Sequence, residues 1–196
     1  VKIGIFGKSG SGKTTVAGYF EKIGFFHVDL DKIGKTVIDK YPGILKRISE
    51  IFGPGFIKRD GLDRNKLANL VFSDEKELEK LNSIFFEYIK TETVELLIEH
   101  KDCVVEGAVL AEIGLDEFLD HVIYVHTDND IALNRLMKRE NLTKNELQKR
   151  LDSQAKYDAM SKTADHIIYT EDDPETLKKS INELFLKLNL QSGNSI

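Results

Sequence analysis

Eight consecutive residues near the start of the chain, Gly7-Lys8-Ser9-Gly10-Ser11-Gly12-Lys13-Thr14, satisfy the pattern G-x-x-x-x-G-K-S/T in full. The spacing has a chemical reason. The glycines let successive backbone N–H groups, those of Gly10 through Thr15, converge on phosphate oxygens, where side chains would block the approach. A following helix adds its own unsatisfied N–H groups and the positive end of its dipole. Lys13 is placed to reach the β- and γ-phosphates of a nucleotide, and the Thr14 hydroxyl to ligate Mg²⁺. The apolar run Lys2–Phe6 precedes the turn and a helical pattern follows it. That context distinguishes a nucleoside-triphosphate site from a Gly/Ser-rich surface turn. ATP with Mg²⁺ is the expected cofactor pair.

A phosphate-binding turn does not identify a reaction. A GTPase should also carry N/T-K-x-D, but Asn65-Lys66-Leu67-Ala68 and Thr143-Lys144-Asn145-Glu146 both lack the Asp. Asp31-Lys32-Ile33-Gly34 reads D-x-x-G, yet it heads a helix only 17 residues after Thr14. A switch protein is a poor fit. Asp29-Leu30-Asp31 ends the second apolar run, and ligands of parallel sheets gather at the carboxyl ends of strands. One of these carboxylates can orient an acceptor hydroxyl and take its proton. Asp29 reads better as the cap of the next helix, which leaves Asp31 for chemistry. Glu106 ends the third apolar run, the place of a second, Mg²⁺-associated acid, although a capping carboxylate would look the same. Arg135 and Arg139 are four apart and share a helix face. Followed by the polar hinge Glu140-Asn141-Leu142, they have the pattern of a lid that brings charge to the γ-phosphate and excludes water. Ion pairs on a solvated face are the plainer alternative. Arg150 is a third candidate. The five His show no metal-ligand spacing.

These residues need a frame to hold them. Strands are expected at Lys2–Phe6, Phe25–Val28, Cys103–Gly107, His121–Thr127 and His166–Tyr169. Helices are expected over Thr14–Ile23, closed by Gly24, from Asp29 or Leu30 to Lys40, and over Ile44–Phe52. From Asp63 to His100 the pattern is helical in two pieces, with Ser73 as the N-cap of the longer one. Further helices cover Asp130–Glu140, the stretch from the capping box Thr143/Glu146 to Gln154, and Pro174–Leu188 behind Asp173. The polar tail Gln191–Ile196 is expected to fray. Five apolar strands separated by helices indicate an α/β fold with a mainly parallel sheet, and the helical excess before Cys103 suggests an inserted subdomain.

Composition narrows the partners. The 196 residues carry 28 Lys+Arg against 33 Asp+Glu, a formal charge of −5, which argues against a nucleic-acid coat or a membrane-surface binder. No apolar run approaches the ~18 residues of a membrane span, and the stretch ending at Gly7 is too short for a signal peptide. Cys103 stands alone, so there is no disulfide framework or Cys-based zinc site. A soluble, cytoplasmic, monomeric protein is expected. Only six of the 28 basic residues are Arg, in two stretches: Arg47, Arg59 and Arg64, then Arg135, Arg139 and Arg150. Arg is the better bidentate phosphate clamp.

Several strings in order make the chain resemble the dephospho-CoA kinase family over nearly its whole length. They are the P-loop followed by Thr15-Val16-Ala17, then Val28-Asp29-Leu30-Asp31, similar to V-x-D-A-D. Next come Gly61-Leu62-Asp63-Arg64 with Leu67, Val71-Phe72-Ser73, and Leu81-Asn82. Leu133-Asn134-Arg135-Leu136-Met137-Lys138-Arg139 resembles the lid helix, and Gln154 the glutamine after it. The resemblance implies a P-loop kinase, a three-layer α/β/α core over about 1–30, 101–134 and 164–190. A helical CoA-binding insertion would cover about 31–100 and a small helical lid about 135–160. It implies transfer of the ATP γ-phosphate to the ribose 3′-hydroxyl of dephospho-CoA, the last step of coenzyme A synthesis. Asp31 would be the base, Lys13 the phosphate clamp, Arg135 and Arg139 the lid, and Arg64 a substrate contact, with Glu106 on the acceptor side.

Three departures bear on the acceptor. Phe86-Glu87 stand where the family usually has His-Pro. Glu106-Gly107-Ala108-Val109-Leu110 replaces the lead into P-L-L-F-E, and the Arg expected soon after Gln154 is missing. The strand end Val105-Glu106-Gly107 is similar to that of uridine-type nucleoside kinases, which keeps that acceptor as the alternative. A nucleotide-binding regulator without transfer activity is a third reading, weakened by the intact Asp31, Lys13 and Arg135.

Overall fold

In the computed structural model, residues 1–59, 61–171 and 173–190 are described; the tail expected to fray lies outside them. The chain forms two compact units, Val1–Leu30 with Leu96–Ile196, and Asp31–Glu95.

The first unit is built on a fully parallel sheet. Its strands are β1 (Lys2–Phe6), β2 (Phe26–Asp29), β5 (Cys103–Glu106), β6 (His121–His126) and β7 (His166–Tyr169), in the order β2-β5-β1-β6-β7. These are the five apolar runs of the sequence. Strands buried on both faces must be apolar at nearly every position, and β1 and β5 meet that demand. Ile3 and Ile5 face a core shared with Val104, Ile123, Val125 and Ile168. This face is closed by Val16, Ala17 and Phe20 of α1 (Lys13–Lys22) and by Leu177, Ile181, Leu184 and Phe185 of α9 (Pro174–Lys187). Phe6 and Tyr124 point to the opposite face, their rings 5.1 Å apart. There the segment 108–119 packs so closely that a Cβ on Gly4 would lie 2.6 Å from Leu119. The helices α6 (Asn129–Arg139), α7 (Lys144–Ser153) and α8 (Lys156–Met160) follow β6. α6 and α7 share a small core of Ala132, Leu133, Leu136, Leu147 and Leu151. Local signals behave as expected at two ends. Thr143 and Glu146 form the full capping box of α7, and Asp173 caps α9 with Pro174 at its first position.

The second unit is helical apart from one small hairpin. α2 (Leu30–Lys40) and α5 (Glu75–Glu99) carry the chain into and out of it, with α3 (Gly43–Phe52) and α4 (Arg64–Ser73) between. Ile44, Ile48 and Ile84 are fully buried. Glu92 on α5 accepts from Lys40 and from the Tyr41 hydroxyl, and Glu87 pairs with Arg47. So the Phe86-Glu87 departure has a structural use, as a partner for an α3 arginine.

Two expectations need correction. Ser73 is the last residue of α4, and the position directly before α5 belongs to Asp74, whose carboxylate accepts from the Lys76 N–H at 2.9 Å. An Asp one residue on competes well for that place. The break at Gly53-Pro54-Gly55 also leads, through a single 3₁₀ turn, into an antiparallel pair, β3 (Ile57–Lys58) and β4 (Gly61–Leu62). Two-residue strands show no alternation, so periodicity cannot reveal them.

Phe20 lies edge-on to Phe25 at 5.4 Å and to Phe185 at 5.0 Å, joining α1, the start of β2 and α9. Replacing Phe20 with Ala should lower the unfolding free energy by about 3–5 kcal/mol in urea titrations followed by circular dichroism.

Candidate active site

The turn between β1 and α1 is held by backbone contact. A Cβ on Gly7 would lie 2.4 Å from the Val125 carbonyl oxygen of β6, and one on Gly10 2.7 Å from the Ala132 carbonyl oxygen of α6. Gly10 and Gly12 have φ of +77° and +94°, where a side chain is strained. α1 starts behind Gly12 with no side-chain cap and no acidic residue in its first turn. Its N–H groups and dipole are therefore not answered by any local anion, the condition for binding phosphate. Lys13 is buried at 8% exposure, and its Nζ donates to the Lys8 carbonyl at 3.1 Å. Ser11 is buried and its hydroxyl has no partner. Thr14 and Thr15 are exposed on the first turn.

Arg135 reaches the turn from α6. Its guanidinium donates to the Gly10 carbonyl at 3.3 Å, to the Thr170 hydroxyl at 3.0 Å and to the Thr170 carbonyl. The buried Thr170 hydroxyl in turn donates to the Ser11 carbonyl at 2.5 Å. Arg135 thus joins α6, the turn and the end of β7. Arg139 is exposed and pairs with Glu140 at 2.8 Å, and Arg150 holds the other oxygen of Glu140 at 2.7 Å. Burial pushes the Glu140 carboxyl up, but the two guanidiniums outweigh it and hold it below the usual range.

Glu106 ends β5 in register with Ile5 on β1 and Asp29 on β2. It is buried at 4% exposure. Gly107 behind it gives room for Leu30, whose Cβ would be 2.7 Å from an added methyl. Asp31 is exposed in the first turn of α2, and Arg64 is exposed at the first position of α4, behind the cap Asp63. Lys13, Thr14, Arg135, Arg139 and Glu106 therefore belong to the first unit, and Asp31 and Arg64 to the second.

Several contributors had weak or no sequence signals. The Gln154 side chain accepts from the Ser9 N–H at 2.8 Å. Lys8 donates to Asn129 and Asp158. His126, Asp128 and Glu171 bring donor atoms within 4.8 Å of one another, although Glu171 is 45 residues from His126. His27 lies between two carboxylates, with Nδ1 3.3 Å from Glu21 and Nε2 3.4 Å from Glu106. Glu106, aided by Glu21, raises the His27 pKa against the opposing effect of burial. A raised folded-state pKa adds stability that is full below the unfolded value of about 6.5 and is lost as pH rises through the folded value. The stability advantage of the parent over His27→Gln should therefore be largest below pH ~6.5 and shrink at higher pH, measured by urea unfolding across pH.

The dephospho-CoA kinase family profile matches residues 1–175. A dephospho-CoA kinase from Clostridium tetani is 32% identical over 196 residues, covering 96% of this chain and 86% of its own. Another, from Bacillus licheniformis, is 33% identical and covers 97% of this chain and 96% of its own. Among solved structures, TT1252 from Thermus thermophilus matches with a TM-score of 0.77 at 27% identity, covering 96% of this chain and 97% of that one. With a phosphate-binding turn of the required geometry and a family match along most of its length, the chain belongs to the dephospho-CoA kinase family.

Proposed function

We propose that this protein transfers the γ-phosphoryl group of ATP to the ribose 3′-hydroxyl of dephospho-CoA, giving coenzyme A and ADP. The observation that carries the reading is the uncapped start of α1 behind a glycine turn pressed against β6 and α6, in a chain of this family. The bond from the 3′-oxygen to the γ-phosphorus forms as the bond to the bridging oxygen of ADP breaks, and the hydroxyl proton leaves to a base. Such transfers are catalysed mainly by positioning and by charge placed near the phosphoryl oxygens.

Each residue has a part in this. The N–H groups from Gly10 to Thr15 hold the phosphates, and Lys13 lies along the β- and γ-oxygens. Thr14, exposed beside these donors, has the chemistry to ligate Mg²⁺. When bound, Mg²⁺ would neutralise charge on the same oxygens. Arg135 adds a fixed positive charge beside Gly10, kept in place by its bonds to Thr170. Arg139, exposed and bonded to its neighbour Glu140, is assigned the outer cation of the pair. Asp31, two residues past the end of β2, is assigned the base. Arg64 and Glu106 are assigned to the acceptor side. No helix among the described residues is long and apolar enough to cross a membrane. The buried, unpaired Cys103 suits a reducing cytoplasm, and a monomer is the state we assign.

Purified protein with ATP and Mg²⁺ should phosphorylate dephospho-CoA and leave uridine unchanged; turnover of uridine alone would overturn the assignment. Asp31→Asn should lower kcat by ~10²–10⁴-fold while ATP binding persists. Undiminished activity in that variant would remove Asp31 from the mechanism.

A further inference from the structure

Lys8 occupies a variable position of the P-loop, yet its side chain is only 4% exposed. Taking an ammonium out of water is costly unless it is paired and hydrogen-bonded. Here Nζ donates to Asp158 at 2.9 Å and to the Asn129 side-chain oxygen at 2.6 Å. The other oxygen of Asp158 takes the hydroxyl of Tyr124, a β6 residue of the buried core. Asn129 is the first residue of α6 and Asp158 lies in α8, so one lysine ties both ends of the α6–α8 segment to the loop.

The next two residues repeat the pattern. The Ser9 N–H donates to Gln154, between α7 and α8, and the Gly10 carbonyl accepts from Arg135 on α6. Three consecutive loop residues therefore each hold a different part of α6–α8. The phosphate-binding stretch assigned above, Gly10 to Thr15, begins at the last of these contacts, with the Gly10 carbonyl held by Arg135.

We propose that Lys8 and Asp158 form a positioning clamp that sets the P-loop for nucleotide, and makes the loop and the α6–α8 segment move as one body. Lys8 is a positioning residue: Asp158 neutralises its charge, so it acts on the phosphates through the shape of the loop and not as a second phosphate cation. Arg135 and Arg139 ride on the clamped segment, so the same pair fixes where their charges stand relative to Lys13. The inference rests on the ATP half of the proposed function and is independent of the acceptor.

For a change at Asp158, a clamp and a phosphate cation predict opposite signs, which makes the test decisive. Lys8→Met, Asp158→Asn and the double variant are titrated with Mg²⁺ and the non-hydrolysable ATP analogue AMP-PNP, a measurement that no error in acceptor identity can affect. The clamp predicts that each single change weakens binding about tenfold, and that the double variant is no weaker than the weaker single, as for a coupled pair. The KM for dephospho-CoA stays at the parent value. Were Lys8 instead a phosphate cation held back by Asp158, Asp158→Asn would bind the analogue as tightly as the parent or more tightly, and the clamp would be overturned. Additive losses, or an equal loss for dephospho-CoA, would also overturn it. The Asp158 side chain is 42% exposed, so Asp158→Asn is expected to fold and decides the sign even if Lys8→Met does not.

Discussion

The structure depends on how closely the phosphate-binding turn lies against its neighbours. No side chain fits at Gly7 or Gly10, because the carbonyl oxygens of Val125 and Ala132 already occupy the space. That contact places the turn over the carboxyl ends of β1 and β6, and α1 starts behind it with no side-chain cap and no acidic residue in its first turn. An anion is then the natural complement of the site. β1 lies at the centre of the sheet between β5 and β6, so the turn springs from a strand buried at four of its five residues.

Around the turn, charge is distributed by role. Lys13 and Arg135 both donate to main-chain carbonyls of the turn, those of Lys8 and Gly10. Lys8 is neutralised by Asp158, while Arg139 and Arg150 share Glu140. The two arginines four apart on α6 were expected to act together. Near the end of the helix the same face turns from the protein to solvent, so Arg135 is tied inward and Arg139 pairs outward. A net charge of −5 over the chain is therefore no obstacle to one nucleotide held by backbone donors and a few placed cations.

Much of this was legible in the sequence where the cause is local. The five strands are apolar because parallel strands are buried on both faces. The P-loop, the α7 capping box and the Asp173-Pro174 start are written within a few residues of one another. Gly24, at φ +98° just past α1, is another such signal. What could not be read is long-range or too short to have a period. The β3–β4 hairpin has two residues per strand. The choice of Asp74 over Ser73 turns on a single residue. Lys8 and Asp158 are 150 residues apart, and His27 meets Glu106 only because β2 and β5 are neighbours. Gln154 was visible through family resemblance, but its bond to the Ser9 N–H required the fold.

The close backbone contact of the turn shapes the site for nucleotide. The most direct test is a titration of Gly10→Ala with Mg²⁺ and AMP-PNP, with far-ultraviolet circular dichroism to show that the variant is folded. A methyl 2.7 Å from the Ala132 carbonyl must push the turn away from α6. Affinity should fall at least about tenfold below the parent, the loss expected when a phosphate cradle is displaced. A folded Gly10→Ala protein that binds the analogue as tightly as the parent would contradict it.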